Sequence, residues 1–534
     1  MPLKYSRTVV VSLALAAMLV ASLAGQTHAS STPAGAVFLN SASSTDSPTL
    51  RVDGAGGMHL AFAGYNTGIN PGDDPSQPGY YAYCDPNADC SVAGNWTQVA
   101  LGTHVQAAQL QLTPAGQPRI LLETADFASG DTVSYWYAAC DGGCTDPGNW
   151  LVLDLVDTTS IVGDVWNQPK HSFALDSQGN PRFLYSAGML VYATCDTACT
   201  DTTTDPNSGQ TVPANWVFAQ ISTGLNFNQL SLGFTSAGQP RAAGFGFNSS
   251  DFSFGVDYLE CNANCYDGSQ WSVTNLMPQG QAPLAVSLRV DGSDGVGVAL
   301  SQSNQLWYWQ CGGGGCADPA RWLWTRWDGL SGYVQDADLA FDAQNQPHLA
   351  LRSSGGPFGW GLAEMACVAS CTTGDAAWTG EQLEDVSRLS QDLPQLLPAN
   401  CTTGGWFGDF RPSLSLDPAG NLRVAFDNQF WVSGCSDNVD VRTEFEAVRV
   451  VYTGPALASS QARATTAAAA PSAAKQPVKL AASHGKGATV GQHDPARLLS
   501  KPGPRPSHTP PGGFGRSYQA PTRGHAPAPA RARR

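Results

Sequence analysis

The feature that most constrains this chain is a twelve-residue segment, Phe173-Ala-Leu-Asp-Ser-Gln-Gly-Asn-Pro-Arg-Phe-Leu184, that recurs seven times. Aligned on its Asp, the copies are anchored at Asp53, Thr113, Asp176, Thr235, Asp291, Asp342 and Asp417, at spacings of 51 to 75 residues. Three residues after each anchor stand Gly56, Gly116, Gly179, Gly238, Asp294, Asn345 and Gly420. Only Gly, Asn and Asp occupy that position, and these are the residues that tolerate the left-handed region. Alternating apolar residues such as Leu414-Ser415-Leu416 lead in, and an Asp or Thr side chain at the anchor can bond the backbone two residues on. The segment therefore reads as strand, tight turn, strand.

A third strand follows, ending in Tyr-x-x-Cys at Tyr81, Tyr137, Tyr192, Tyr258 and Tyr308, with Glu364 in the sixth copy. A second cysteine comes shortly after each first one, and then a Trp opens a fourth strand: Trp96, Trp150, Trp216, Trp271, Trp322 and Trp378. Four-stranded antiparallel units at this period cannot each bury two faces alone, so they stack radially as blades. The expected fold is all-β: a seven-bladed β-propeller over residues 34–455. In the seventh copy Val450-Val451-Tyr452 matches the third strand, but Pro455 stands where Cys belongs and no fourth strand follows. Ala36 to Asn40, preceding the first copy, is expected to supply it and close the ring. The repeats resemble those of secreted bacterial propellers built from Leu-Asp-x-x-Gly-x-Pro units, over about 420 residues. That resemblance implies an architecture and no activity.

The flanks differ from the body. Lys4 and Arg7, an apolar run from Val9 to Leu23 and small residues up to Ala29 form a signal-peptide pattern over residues 1–29, so a secreted product is expected, extracellular, periplasmic or on the cell surface. No later run reaches the roughly 20 apolar residues of a membrane helix. The formal net charge of −15 divides into −26 for residues 1–455 and +11 for residues 456–534. The acidic body disfavours nucleic acid, whereas the Pro/Ala/Arg-rich tail is expected to be disordered and able to contact an anionic surface.

Fourteen cysteines in an exported chain imply disulfides. Six local pairs are expected: Cys84 with Cys90, Cys140 with Cys144, Cys195 with Cys199, Cys261 with Cys265, Cys311 with Cys316, and Cys367 with Cys371. Elimination leaves Cys401 with Cys435. Topology agrees, because in an antiparallel blade the connections between strands two and three share a face with the connections between blades. The longest insertions fall on that face: Asn66 to Pro78, Glu384 to Asp409 and Asp427 to Glu444. The insertion at residues 200–215 falls on the face of the local pairs.

The inserted stretches carry Trp406, Phe407, Asp409, Phe430, Trp431, Asp437 and Asp440, with Asp73 and Asp74 opposite. Indoles beside carboxylates suit a sugar ring, which stacks on the aromatic face while acids accept hydroxyl protons. The competing expectation is that these aromatics pack beneath their own loops. Arg119, Arg182, Arg241 and Arg423, with His59 and His348, recur six residues after an anchor and are read as structural partners of acids. No Gly-x-Ser-x-Gly, His-Glu-x-x-His or P-loop element occurs. Glu364 and Glu384 are the acids least bound to the repeat. No cofactor and no metal site is expected; calcium is the one ion the oxygen-rich turns would suit, without a complete binding loop. The expected function is a monomeric, non-enzymatic binding or adhesion module for a glycan or protein. The alternatives are a polysaccharide hydrolase or lyase with carboxylates in the central funnel, and an envelope protein anchored by its tail.

Overall fold

In a computed structural model of the chain, the described residues comprise most of 35–454 together with 478–479 and 483–486; 1–34, 65–77, 159–170, 386–396, 437–440 and several shorter stretches lie outside them. The signal-peptide expectation lies outside the described residues. Seven four-stranded antiparallel blades form the body, and the innermost strands touch in ring order, one to seven and back to one.

Each repeat folds as its residues dictate. Asp53 Oδ1 accepts the amides of Ala55 and Gly57 at 2.9 and 2.8 Å, and Asp176, Asp291, Asp342 and Asp417 do the same in their own turns. The position three residues on takes a positive φ in all seven copies, from 60° at Asn345 to 93° at Gly56. Five turns are thus held by a carboxylate and two by the hydroxyl of Thr113 or Thr235, each with one left-handed residue.

The core lies between blades. Val256, Tyr258 and Leu276 of blade four pack with Leu288, Val298 and Trp309 of blade five. At five junctions the Tyr of one blade meets the Trp of the next, from Tyr81 on Trp150 to Tyr308 on Trp378, with ring centroids 4.9–5.5 Å apart. Each of the six Trp indoles donates to the carbonyl of the second Cys of its own staple at 2.8–3.1 Å. The staple therefore positions the indole that joins two blades. Blade seven has no such Trp, and blade six correspondingly has Glu364 in place of Tyr, hydrogen-bonded to His348 at 2.8 Å.

The ring closes as expected: Gly35–Leu39 pairs with Val441–Tyr452, Gly35 opposite Tyr452 and Leu39 opposite Val448. All seven disulfides form, Cys401–Cys435 included. Two features depart from the sequence reading. Asp427 to Glu444, expected as a loop, is largely strand, because Leu422–Ser433 continues past Asp427 and the next strand begins at Val441. Phe430, Trp431 and Val432 favour a pleated sheet over an irregular loop. The Glu384–Asp409 insertion likewise turns to strand at Thr403. In addition, two short segments beyond Pro455 are paired: Val478–Lys479 runs beside Thr379 and Gly380, and Ser483–Lys486 beside Leu323 to Arg326, on the outer strands of blades six and five.

Candidate binding face and central channel

Blade seven stands out by length. Its first three strands, Thr403–Leu416, Leu422–Ser433 and Val441–Tyr452, have 14, 12 and 12 residues. Second strands elsewhere have 6 to 9 and third strands 6 to 8. At ~3.3 Å per residue the extra length corresponds to about 10–20 Å of added ribbon. The Cys401–Cys435 bridge ties the first two strands together at the far end of this extension, where Thr403 lies opposite Ser433, and the amide of Ser436 donates to the carbonyl of Asn400 at 2.8 Å.

The sequence-predicted residues divide on this scaffold. Phe430 is 1% exposed, and its ring fills the space over Gly404, where even a Cβ would come within 2.8 Å of it, beside Leu397. Its side chain packs within the extension. Trp431 is half-buried, with its indole donating to Gln429 Oε1 at 3.0 Å. Trp406 pairs through its backbone with Phe430, and Phe407 with Gln429. The side chains of Trp406, Phe407 and Asp409, and the whole of Asp73, Asp74, Asp437 and Asp440, lie outside the described residues.

The repeated basic residues serve the turns. Arg182 bonds Asp176 at 2.8 Å, and Arg423 bonds Asp417 at 2.7 Å, both pairs almost fully buried. His59 meets Asp53 at 3.2 Å. Burial opposes charge on the His348 imidazole, but Glu364 and Asp342 outweigh it and raise the group above its ordinary value. Glu384 is held by Arg449 of blade seven at 2.9 Å, with both side chains buried. Blade five lacks the basic residue: Gly297 occupies its place, and the buried Tyr308 hydroxyl has no hydrogen-bond partner. A Cβ at Gly297 would come within 2.7 Å of Phe341.

Two acids stand apart from these pairs. Burial alone raises the Glu123 carboxyl to about 7, and its Oε2 has no hydrogen-bond partner. Burial also raises Asp257 to about 6, against a hydrogen bond from Asn275. Among the described residues, no group of three or more His, Cys, Asp or Glu is placed to hold a metal ion, and no helix is long and apolar enough to cross a membrane.

The channel has a polar girdle that the sequence reading missed. Four residues before each anchor stand Thr49, Gln109, Ser172, Ser231, Ser287, Asp338 and Ser413. The innermost strand of every blade has an unpaired edge facing the axis, and its buried amides need acceptors. At five junctions the girdle side chain accepts the amide of the residue three before the next blade's anchor. Ser413 accepts from Leu50, Gln109 from Phe173, Ser231 from Leu288, Ser287 from Leu339 and Asp338 from Leu414, at 2.8–3.2 Å. Thr49 donates instead to the Ala108 carbonyl at 2.9 Å, and at the junction of blades three and four the His171 carbonyl accepts from Leu232. The signal was a polar residue at one fixed offset in seven apolar strands.

No known family profile matches the sequence, and no curated protein matches it. Among solved structures, a protein of unknown function from Dyadobacter fermentans is 12% identical at a TM-score of 0.39, over 79% of this chain and 99% of that one. A NanB sialidase variant from Streptococcus pneumoniae is 10% identical at 0.37, over 77% and 68%. The α-L-arabinofuranosidase of Fusarium graminearum is 10% identical at 0.37, over 61% and 94%. Likeness at this level assigns no activity. The chain is a disulfide-stapled seven-bladed β-propeller.

Proposed function

We propose that this protein is an exported, non-catalytic binding module that engages a glycan or protein partner through the face from which blade seven extends. The observation that carries the reading is the extension itself: three strands prolonged beyond the repeat, closed by the one disulfide that does not belong to the repeat. A ribbon already ordered by sheet pairing and a covalent tie loses little conformational freedom on binding. It carries Trp431 half-exposed, and an indole offers a flat apolar face with a polar edge. Fourteen paired cysteines fit an oxidising destination.

The two acids least bound to the repeat are taken up by ion pairs, which favours a binding role. Glu364 and Glu384 are ion-paired, and Glu123, though raised toward neutrality as a general acid must be, draws that shift from burial alone, with no second carboxylate beside it.

Glycan-array and pull-down measurements on the secreted protein test the assignment. Trp431→Ala and Trp406→Ala are expected to weaken whichever ligand is found by tenfold or more without changing the melting temperature. Binding that survives both substitutions would remove the extension as the site.

A further inference from the structure

Two residues before the anchors, on the same face of the innermost strands as the girdle, stand Arg51 in blade one and Arg289 in blade five. Around them lie His171, from the segment leading into blade three, and Asp338, the girdle residue of blade six. Asp338 is fully buried and fully engaged. Its Oδ1 accepts from Ser287 Oγ at 2.7 Å, from Arg289 Nη2 at 2.9 Å and from the Leu339 amide at 2.8 Å. Its Oδ2 accepts the Leu414 amide at 2.8 Å. The His171 Nε2 lies 3.2 Å from Oδ1, while its Nδ1 lies 3.2 Å from Arg289 Nη2. A guanidinium can only donate, so Nδ1 is the acceptor and His171 is the neutral tautomer with its proton on Nε2. Burial, with the two guanidiniums nearby, holds that imidazole down to about 4 against the pull of Asp338.

Within this four-residue cluster the charges therefore do not cancel. Asp338 matches Arg289, and His171 is neutral. Arg51 donates through Nε to Gln111 Oε1 at 3.1 Å and through Nη1 to its own Leu50 carbonyl at 2.7 Å. Both acceptors are neutral, and among the described residues no carboxylate bonds to Arg51. A guanidinium withdrawn from water without a counter-charge is costly, and an anion taken from solution relieves that cost.

We propose that the central channel binds a small anion, carrying a carboxylate or a tetrahedral oxyanion group, between Arg51 and Arg289. The surroundings favour such a ligand. The Arg289 side chain keeps 21% of its surface exposed, and Arg51 is partly buried. Burial draws Arg51 down to about 10, and the charge of Arg289 adds to that effect; Asp338 opposes both without reversing them. An anion between the two guanidiniums would reverse this balance. Two residues from the turns, the site lies toward the turn end of the channel, whereas blade seven extends from the other face. It is therefore independent of the proposed binding face.

The test uses the whole mature protein. Its melting temperature is followed in titrations with acetate, with sulfate and with phosphate, each exchanged against sodium chloride at constant ionic strength, and crystals are soaked in sodium bromide for anomalous diffraction. The expected results are a saturable rise in melting temperature and a bromide peak between the two guanidiniums, with Arg51→Gln weakening the response at least tenfold and losing the peak. The acetate arm against the sulfate and phosphate arms separates a carboxylate ligand from a tetrahedral one. No saturable rise with any of them, or a response unchanged in Arg51→Gln, overturns the proposal. Should Arg51→Gln fail to fold, Arg51→Lys keeps the charge without the planar fork: a weakened response supports the site, and a response unchanged with acetate, sulfate and phosphate alike overturns it.

Discussion

Burial lifts the Glu123 carboxyl from its ordinary value of 4.5 to about 7, and the consequence for stability has a definite sign. Between those two values the native state holds a proton that the unfolded chain releases, so stability falls as pH rises through the window. Glu123→Gln removes the titration. It is expected to stabilise the protein at pH 8 by up to about 3 kcal/mol, from 1.36 kcal/mol per unit, and to do little at pH 4. Urea unfolding at the two pH values checks this; an equal effect at both would contradict it. At this scale much was legible in the sequence. Asp53 and Gly56 declared a turn, because few residues can perform those two roles. Tyr308 shows what was not: its hydroxyl is orphaned by Gly297, which sits where other blades place Arg or His, and the loss becomes visible only when strand two lies beside strand three.

Among elements, the seven disulfides differ by how much chain each closes. Six close rings of 4 to 6 residues, whereas Cys401–Cys435 closes 34. In the chain-entropy account a short ring contributes about 2 kcal/mol and the long one about 4. The double substitution Cys401→Ser/Cys435→Ser is therefore expected to cost more in denaturant unfolding than Cys84→Ser/Cys90→Ser, and to open the extension to limited proteolysis. The reverse ranking would show that the staples act mainly through the indoles they position. The pairing of Cys401 with Cys435 could be inferred because topology put both on one face. The strand character of the extension could not, since Asp427 to Glu444 has no counterpart in the other six repeats to align with. The girdle was hidden for a different reason. Thr, Gln, Ser and Asp all offer an oxygen to a neighbouring blade, so its residue types vary while the role stays fixed, and only polarity at a constant offset betrays it.

For the whole molecule, closure is the weak step, since a single five-residue strand from the far end of the sequence completes blade seven. Deleting residues 34–40 is expected to lower the melting temperature and broaden unfolding, because the third strand of blade seven is left with an open edge. A synthetic peptide of that sequence, added in excess, is expected to restore both by re-pairing with Val441–Tyr452. Unchanged melting after the deletion would mean that ring closure adds nothing to stability. That the ring has seven blades could be counted from the anchors, and which segment closes it followed from what the last copy lacks.

The closing strand also sets a timetable. Gly35–Leu39 is made among the first residues of the body, yet its partner strand ends at Tyr452. At translation rates of roughly 5–20 residues per second, the first strand waits on the order of tens of seconds before its neighbour exists. During that interval Gly-Ala-Val-Phe-Leu is an apolar ribbon with both edges bare, the kind of segment that pairs with whatever strand it meets first. The ring must therefore be protected in time as well as in space, by keeping its opening residues apart from other chains until the final blade arrives.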